Sequence, residues 1–120
     1  MKKEEELIEL MKPKMEDGEE VLCCIDGAFS TVIKNKNNVK TGILAATTKK
    51  IRFCGKRFFM IYDDVIEYSD ILDIDITEEK LGFQVFIKGK DKPYFMKYVI
   101  NEKVKEFVDI VKDKIKCDCR

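Results

Sequence analysis

Short apolar or alternating segments, separated by turn residues at the spacing of β-hairpins, constrain the fold most strongly. Apolar and polar side chains alternate through residues 72–76 and 83–87, as they do in half-buried strands. A continuous apolar segment over 21–25 is typical of a strand buried on both faces. In all we predict about seven strands, at residues 21–25, 43–48, 51–54, 57–62, 72–76, 83–87 and 94–98.

Turn residues divide these predicted strands. We expect a polar loop over 34–38, a turn at Gly55-Lys56 and another at Asp63-Asp64, because Gly, Asp, Asn and Lys interrupt the apolar pattern there. Further turns are predicted at 80–82 and 89–93. Strands at this hairpin spacing indicate an antiparallel arrangement.

Helical patterns occur at the two ends of the chain. Near the N-terminus, apolar residues recur every three or four positions (Leu7, Ile8, Met11 and Met15), and Pro13 should end or kink this short helix. The final segment carries an apolar stripe typical of an amphipathic helix, formed by Val104, Phe107, Val108, Val111 and Ile115. Asn101 is its predicted N-cap. The sequence therefore predicts an α+β fold in which a C-terminal helix caps a small barrel or sandwich of about seven antiparallel strands.

Charge is segregated along the 120 residues, although 23 basic residues balance 23 acidic ones. Residues 27–62 contain 8 basic and no acidic residues, and residues 63–79 contain 8 acidic and no basic residues. We expect these two blocks to pair across adjacent strands or between copies of the chain. The chain has no histidine, which excludes an imidazole base and His-ligated zinc.

No apolar segment is long enough for a membrane helix or a signal-peptide core, so we expect a soluble, cytoplasmic protein whose five cysteines are thiols. Cys23 and Cys24 are adjacent in a predicted strand and should pack on opposite faces. Cys117 and Cys119 are weak metal candidates, because two thiolates supply half the ligands of a structural zinc site. We therefore predict no metal and no cofactor.

Two blocks of sequence resemble a known family. Residues 42–53, GILAATTKKIRF, resemble the G-x-L-x-x-T-x-K-R-I-x-F signature of bacterial pleckstrin-homology-like domains, especially the YokE-like branch, with Lys50 where Arg is commoner. Residues 67–71, EYSDI, resemble that family's segment before the fifth strand. The resemblance implies a PH-like domain over about 19–116, preceded by an N-terminal helix and turn (1–18) and followed by a cysteine-containing tail (117–120). It also implies a scaffold for binding and carries over no catalytic residue.

The first block specifies a hairpin on physical grounds alone. Gly42 allows a close backbone approach, and Thr47 can hydrogen-bond the backbone through the turn. We expect Lys49 and Lys50 to keep the hairpin tip in water, while Phe53 returns to the core.

A basic patch is the first candidate binding site. In a PH-like fold the loop after strand one and the hairpin after strand three lie at the same open end. Five basic residues would gather there: Lys34, Lys36, Lys40, Lys56 and Arg57. Such a patch could bind anionic membrane lipid, a protein partner or a second copy of the chain.

The remaining classes are weaker interpretations. Single-stranded nucleic acid could stack on Phe58, Phe59 and Tyr62, but three arginines and a pI near 6.4 argue against it. Asp73 and Asp75 fall on the solvent face of a predicted strand, so an enzyme is not predicted, and no small-molecule substrate is identified. The leading hypothesis is a non-enzymatic module for protein–protein interaction or self-association. Anionic lipid is the first alternative and single-stranded nucleic acid the second.

Overall fold

Seven antiparallel strands form one open sheet between a short N-terminal helix and a longer C-terminal helix. The structure is a computed structural model, and it describes residues 2–33, 36–57 and 59–118, with side chains for 5–31, 39–56 and 59–116. The elements are α1 (Lys2–Met11), a 3-10 turn (Lys12–Lys14), β1 (Val21–Ile33), β2 (Lys36–Thr47), β3 (Lys50–Arg57), β4 (Met60–Glu67), a 3-10 turn (Tyr68–Asp70), β5 (Ile71–Glu79), β6 (Gly82–Gly89), β7 (Pro93–Val99) and α2 (Val104–Asp118). The described strands lie in the order β4-β3-β2-β1-β7-β6-β5, so β4 and β5 are the edges. The predicted fold class is confirmed, and the open sheet matches a sandwich rather than a closed barrel.

Two predicted turns are wrong, because they lie inside strands. Gly55-Lys56 belongs to β3 and Asp63-Asp64 to β4. Gly55 is required for a close approach between strands, since a Cβ atom there would lie 2.5 Å from the carbonyl oxygen of Thr41. The turn between β3 and β4 comes later, after Arg57.

The predicted polar loop at 34–38 is also wrong in part. Residues 36–38 belong to β2, which pairs with β1 as far as the Ile33–Lys36 pair. Residues 34 and 35 lie outside the described residues. The two long strands β1 and β2 supply the backbone pairing that overrides the low strand propensity of Asn and Lys.

The predicted alternation in β5 fails at its first position. The register with β6 shifts between Ile71 and Asp73, as at a β-bulge. Ile71 is therefore buried, whereas Leu72 is 53% exposed. From Ile74 onward the strand follows the prediction, because Ile74 is buried and Asp75 is exposed.

The main core lies between the inner face of the sheet and α2. Four predicted stripe residues, Val104, Phe107, Val108 and Val111, are buried in it, and Ile115 packs against it. The side-chain oxygen of Asn101 accepts a hydrogen bond from the backbone N–H of Lys103 at 2.9 Å. The predicted apolar stripe and the cap are confirmed.

A second, smaller core lies on the outer face of the sheet, under α1. We call it the outer cluster, and its buried members are Leu7, Met11, Cys24, Ile43, Ala45 and Cys54. The predicted helix ends at Met11, where Pro13 lies in the following 3-10 turn. Cys23 packs in the main core, while Cys24 packs in the outer cluster. The two adjacent cysteines therefore face opposite sides of β1, as predicted.

Candidate interaction surfaces

The turn between β2 and β3 is organised around the hydroxyl of Thr47. This oxygen accepts hydrogen bonds from the backbone N–H groups of Lys49 (3.2 Å) and Lys50 (3.1 Å), and the hydroxyl donates to Glu19 Oε2 (2.6 Å). The Tyr68 hydroxyl donates to the Thr47 carbonyl oxygen at 2.6 Å. The turn is thus fixed by the side chains of Glu19 and Tyr68 as well as by its own backbone.

The other residues of the family block lie in the adjoining strands. A Cβ atom at Gly42 would lie 2.3 Å from the carbonyl oxygen of Cys54, so only glycine fits at this strand contact. Phe53 is buried and stacks on Phe29, with 4.5 Å between ring centroids. The sequence predicts that Lys50 keeps the hairpin tip in water, but only 15% of its side chain is exposed.

A buried ion pair joins Glu19 to Arg52. Arg52 Nε and Nη2 donate to the two carboxylate oxygens of Glu19 at 2.7 and 2.9 Å, and the Glu19 side chain is fully buried. The Arg52 guanidinium, with smaller contributions from Thr47 and the Glu16 N–H, lowers the pKa of Glu19 to about 2. In the sequence, Arg52 was included only among the eight basic residues of 27–62, and Glu19 was not identified. Only the approach of the segment before β1 to β3 brings the two together.

The basic side chains of β3 pair chiefly with acids near the N-terminus. Lys56 Nζ lies 3.1 Å from Glu6 Oε1, and Lys50 Nζ lies 2.5 Å from Glu16 Oε2 and 3.3 Å from Glu67 Oε2. Glu67 stands opposite Lys50 in the register of β3 and β4. The expected pairing of the basic and acidic blocks within the fold is seen at this pair, but the N-terminal segment neutralises more of the basic block.

The structure describes the side chains of two of the five residues of the predicted basic patch, Lys40 and Lys56, and these two lie on opposite faces of the sheet. Lys40 lies over the ring of Tyr62, 4.5 Å from its centroid, on the inner face of the sheet. Lys56 lies on the outer face, against α1. Lys34 and the side chains of Lys36 and Arg57 fall outside the described residues.

The edge strand β5 presents a row of acidic side chains to solvent. Asp73, Asp75, Glu78 and Glu79 are exposed, and Asp70 is exposed just before the strand. The ion pairs among the described side chains include none of these five residues. Because β5 pairs only with β6 in the described sheet, its other side is an open edge, and Asp73 accepts a hydrogen bond from the Ile74 N–H at 2.9 Å. This surface is the acidic edge.

An apolar groove lies on the outer face beside α1, and sequence reasoning did not predict it. Its volume is about 540 Å³, and it is lined by Leu7 and Ile43, by Tyr98 at the end of β7 and by Ile100 in the connection to α2. Asp26 lies at this groove as its one charged lining residue among those described. Since Leu7 belongs to α1, this helix supplies part of the groove's wall.

The metal and membrane predictions can be compared with the structure only over the described residues. Within the described residues, no group of three His, Cys, Asp or Glu side chains could hold a metal ion. Cys119 and the side chain of Cys117 lie outside them. Neither described helix is long and apolar enough to cross a membrane.

An open, seven-stranded antiparallel sheet with a C-terminal helix against its inner face defines the pleckstrin-homology (PH) fold. The chain belongs to the bacterial PH domain family, whose model matches residues 15–113. The helix α1 lies outside that match.

Solved structures support the same fold. A PH domain from Shewanella amazonensis is 12% identical, with a TM-score of 0.56, 92% of this chain covered and 96% of that chain. The N-terminal PH domain of Vps36 is 10% identical, with a TM-score of 0.65 and coverage of 86% and 83%. The C-terminal domain of an unknown protein from Leishmania infantum is 16% identical, with a TM-score of 0.62 and coverage of 92% and 97%. A search of curated proteins gave no match.

Proposed function

We propose that this PH domain is a non-enzymatic protein-binding module, and that its acidic edge adds an extended basic segment of a partner as a further strand. PH domains are a binding-module type of fold, which is the coarse function that the family gives. The observation that carries the finer proposal is the set of exposed acidic side chains on β5, a strand at the edge of the sheet.

Strand addition uses two parts of this edge. The outward backbone groups of β5 supply hydrogen bonds that do not depend on the partner's sequence. The carboxylates of Asp73, Asp75 and Glu79, which strand alternation places on one face, supply the selectivity, because like charges placed beside them would repel. A partner segment that alternates Lys or Arg with apolar residues satisfies both requirements.

The basic patch supports lipid binding less well than the acidic edge supports strand addition. Lys56 is paired with Glu6, and Lys40 lies on the other face of the sheet. A cytoplasmic location is part of the proposal, since thiols such as that of Cys54 stay reduced there.

Nuclear magnetic resonance titration of the full chain tests the proposal directly. The probes are the heptapeptide Lys-Val-Lys-Val-Lys-Val-Lys, its Glu-Val counterpart, and a Lys-Val peptide with a central proline. We expect the first peptide to shift the amide resonances of β5. The Glu-Val peptide should bind weakly because its carboxylates repel those of β5. The proline peptide should also bind weakly, because proline cannot donate a backbone hydrogen bond.

A charge-reversed variant supplies the matched control. Asp73→Lys with Asp75→Lys, which strand alternation places on one face, should weaken binding of the Lys-Val peptide about tenfold. Asp109→Lys with Asp113→Lys makes the same charge change on the exposed face of α2 and should leave binding unchanged. Equal weakening by both pairs would show a nonspecific charge effect and contradict the proposal.

Other partners appear as outcomes of parallel assays. Dimerisation that the β5 variant abolishes would support the proposal, since a second copy then supplies the added strand. Binding to vesicles with phosphatidylserine, or to single-stranded DNA, without any shift of β5 by the peptides would overturn it in favour of the lipid or nucleic-acid alternative.

A further inference from the structure

The outer face of β2 and β3 holds α1 in the way that a groove holds a bound helix. We propose that this face is a binding surface for amphipathic helices that carry a carboxylate beside their first apolar anchor, and that α1 occupies it as an intramolecular ligand. The helix-binding surface consists of Cys24, Ile43, Ala45, Cys54, Lys56 and Asp63. It lies apart from the acidic edge, so it does not depend on the function proposed above.

The apolar part of the surface fits one face of a helix. Leu7 and Met11, four residues apart and therefore on the same helix face, are 2% and 3% exposed. They pack on a floor of short or branched side chains from β1, β2 and β3, including Ala45 and Cys54. Small floor residues allow the helix to come close to the sheet. Without a helix there, these apolar side chains would face solvent.

Two ion pairs fix the direction of the bound helix. Glu6, one residue before the first apolar anchor, accepts a hydrogen bond from Lys56 Nζ at 3.1 Å. Lys14, three residues after the second anchor, donates to Asp63 on the neighbouring strand. A partner helix should therefore carry a carboxylate beside its first anchor, a second anchor four residues later, and a basic residue after that.

The position of α1 in the chain indicates that it can leave without unfolding the domain. The helix has 10 residues, too few for independent stability in water, and lies before the family match at 15–113. Gly18, at φ +79°, follows it in a left-handed conformation. Glu19 is then anchored by Arg52 inside the domain. Glu16 is likewise held by Lys50, so the chain up to Met15 can detach while everything from Glu16 onward stays in place.

Two buried cysteines make this release measurable in the full chain. Cys54 lies in the floor beneath α1, and burial raises the pKa of its thiol and so suppresses its reactivity. Cys23 lies in the main core, on the other side of the sheet. Release of α1 should expose the outer-cluster thiols, Cys54 and Cys24, and leave Cys23 buried, whereas global unfolding should expose Cys23 as well.

The test measures the rates at which iodoacetamide modifies Cys54 and Cys23, followed by mass spectrometry. In the wild-type chain we expect Cys54 to react faster than Cys23. In the variant Leu7→Ser with Met11→Ser, Cys54 should react at least tenfold faster than in wild type, with Cys23 unchanged. A synthetic peptide with the sequence of residues 2–15 should then slow Cys54 again by occupying the vacated surface, and the same peptide with Glu6→Lys should not.

Three results would overturn the proposal. The first is equal modification rates for Cys54 and Cys23 in wild type, which would mean that α1 opens only with global unfolding. The second is a released variant in which neither peptide protects Cys54, and the third is equal protection by both peptides, because recognition would then ignore charge.

A milder variant covers the case in which the double substitution unfolds the chain. Glu6→Lys places two positive charges together at Lys56 and should speed modification of Cys54 severalfold. Glu9→Lys is the matched control, because Glu9 pairs with Lys12 in the following 3-10 turn and not with the sheet. Equal effects of the two substitutions would also contradict the proposal.

Discussion

Glu19→Gln should remove a large part of the domain's stability at neutral pH, because it leaves the Arg52 guanidinium buried without its counter-charge. The pKa of Glu19 falls from 4.5 to about 2 on folding, and 1 pKa unit corresponds to about 1.4 kcal/mol. The ionised carboxylate therefore contributes about 3 kcal/mol. This agrees with the cost of about 3–5 kcal/mol for removing one partner of a buried ion pair.

The pH dependence has a definite sign. Because folding lowers the pKa of Glu19, its contribution is fully present above about pH 4.5 and is lost as the pH falls toward about 2. Glu19→Gln lacks this titration. The difference in the free energy of unfolding between wild type and variant should therefore be about 3 kcal/mol at pH 7 and less than half of that at pH 3.

Urea unfolding of both chains between pH 7 and pH 3, followed by circular dichroism, measures this difference. Glu20→Gln is the matched control, since Glu20 is the exposed neighbour, and it should change stability by less than about 0.5 kcal/mol. A Glu19→Gln penalty below 1 kcal/mol, or a penalty that stays constant with pH, would refute the reasoning. Glu19→Gln combined with Arg52→Met should recover part of the loss, because no uncompensated charge remains buried.

Two further predictions concern α2. Phe107→Ala should lower the free energy of unfolding by about 3–5 kcal/mol, because the ring is fully buried and its removal leaves a cavity. Thermal unfolding measures this loss, with Lys105→Ala at an exposed position as the control. Equal melting temperatures for the two variants would contradict the prediction. Asn101→Ala should lower the free energy of unfolding by about 1 kcal/mol, because the hydrogen bond from the Lys103 N–H is lost. Asn101→Asp keeps an acceptor and should change stability little. The midpoints of urea unfolding distinguish the two variants, and identical losses would show that the cap is not the cause.

Local patterns predicted the elements of this fold well. The stripe from Val104 to Val111 predicted α2 and its buried face, because a helix places those residues on one side whatever it packs against. The strand alternation at 83–87 predicted the buried Val85 and Ile87 of β6. The order of these patterns was sufficient for the fold class.

Errors arose where contacts between strands override local propensity. Gly55 looks like a turn residue in sequence, yet it is a glycine because the Thr41 carbonyl oxygen leaves no room for a Cβ atom. Leu72 looks like a core residue, yet the shift in register beside it buries Ile71 instead. Both outcomes depend on residues at least 14 positions away in sequence, and no local pattern contains them.

The candidate surfaces divide in the same way. The sequence by itself determined that acidic residues 63–79 are unrelieved by basic ones, that a basic stretch precedes them, and that a short amphipathic helix opens the chain. The tertiary structure decided which charges meet. It placed Glu6, Glu16 and Glu19 beside β3 and left the acids of β5 on an open edge. The physical reason is that Coulombic pairing depends on distance in space, and the register of the sheet and the path of the N-terminal segment set those distances.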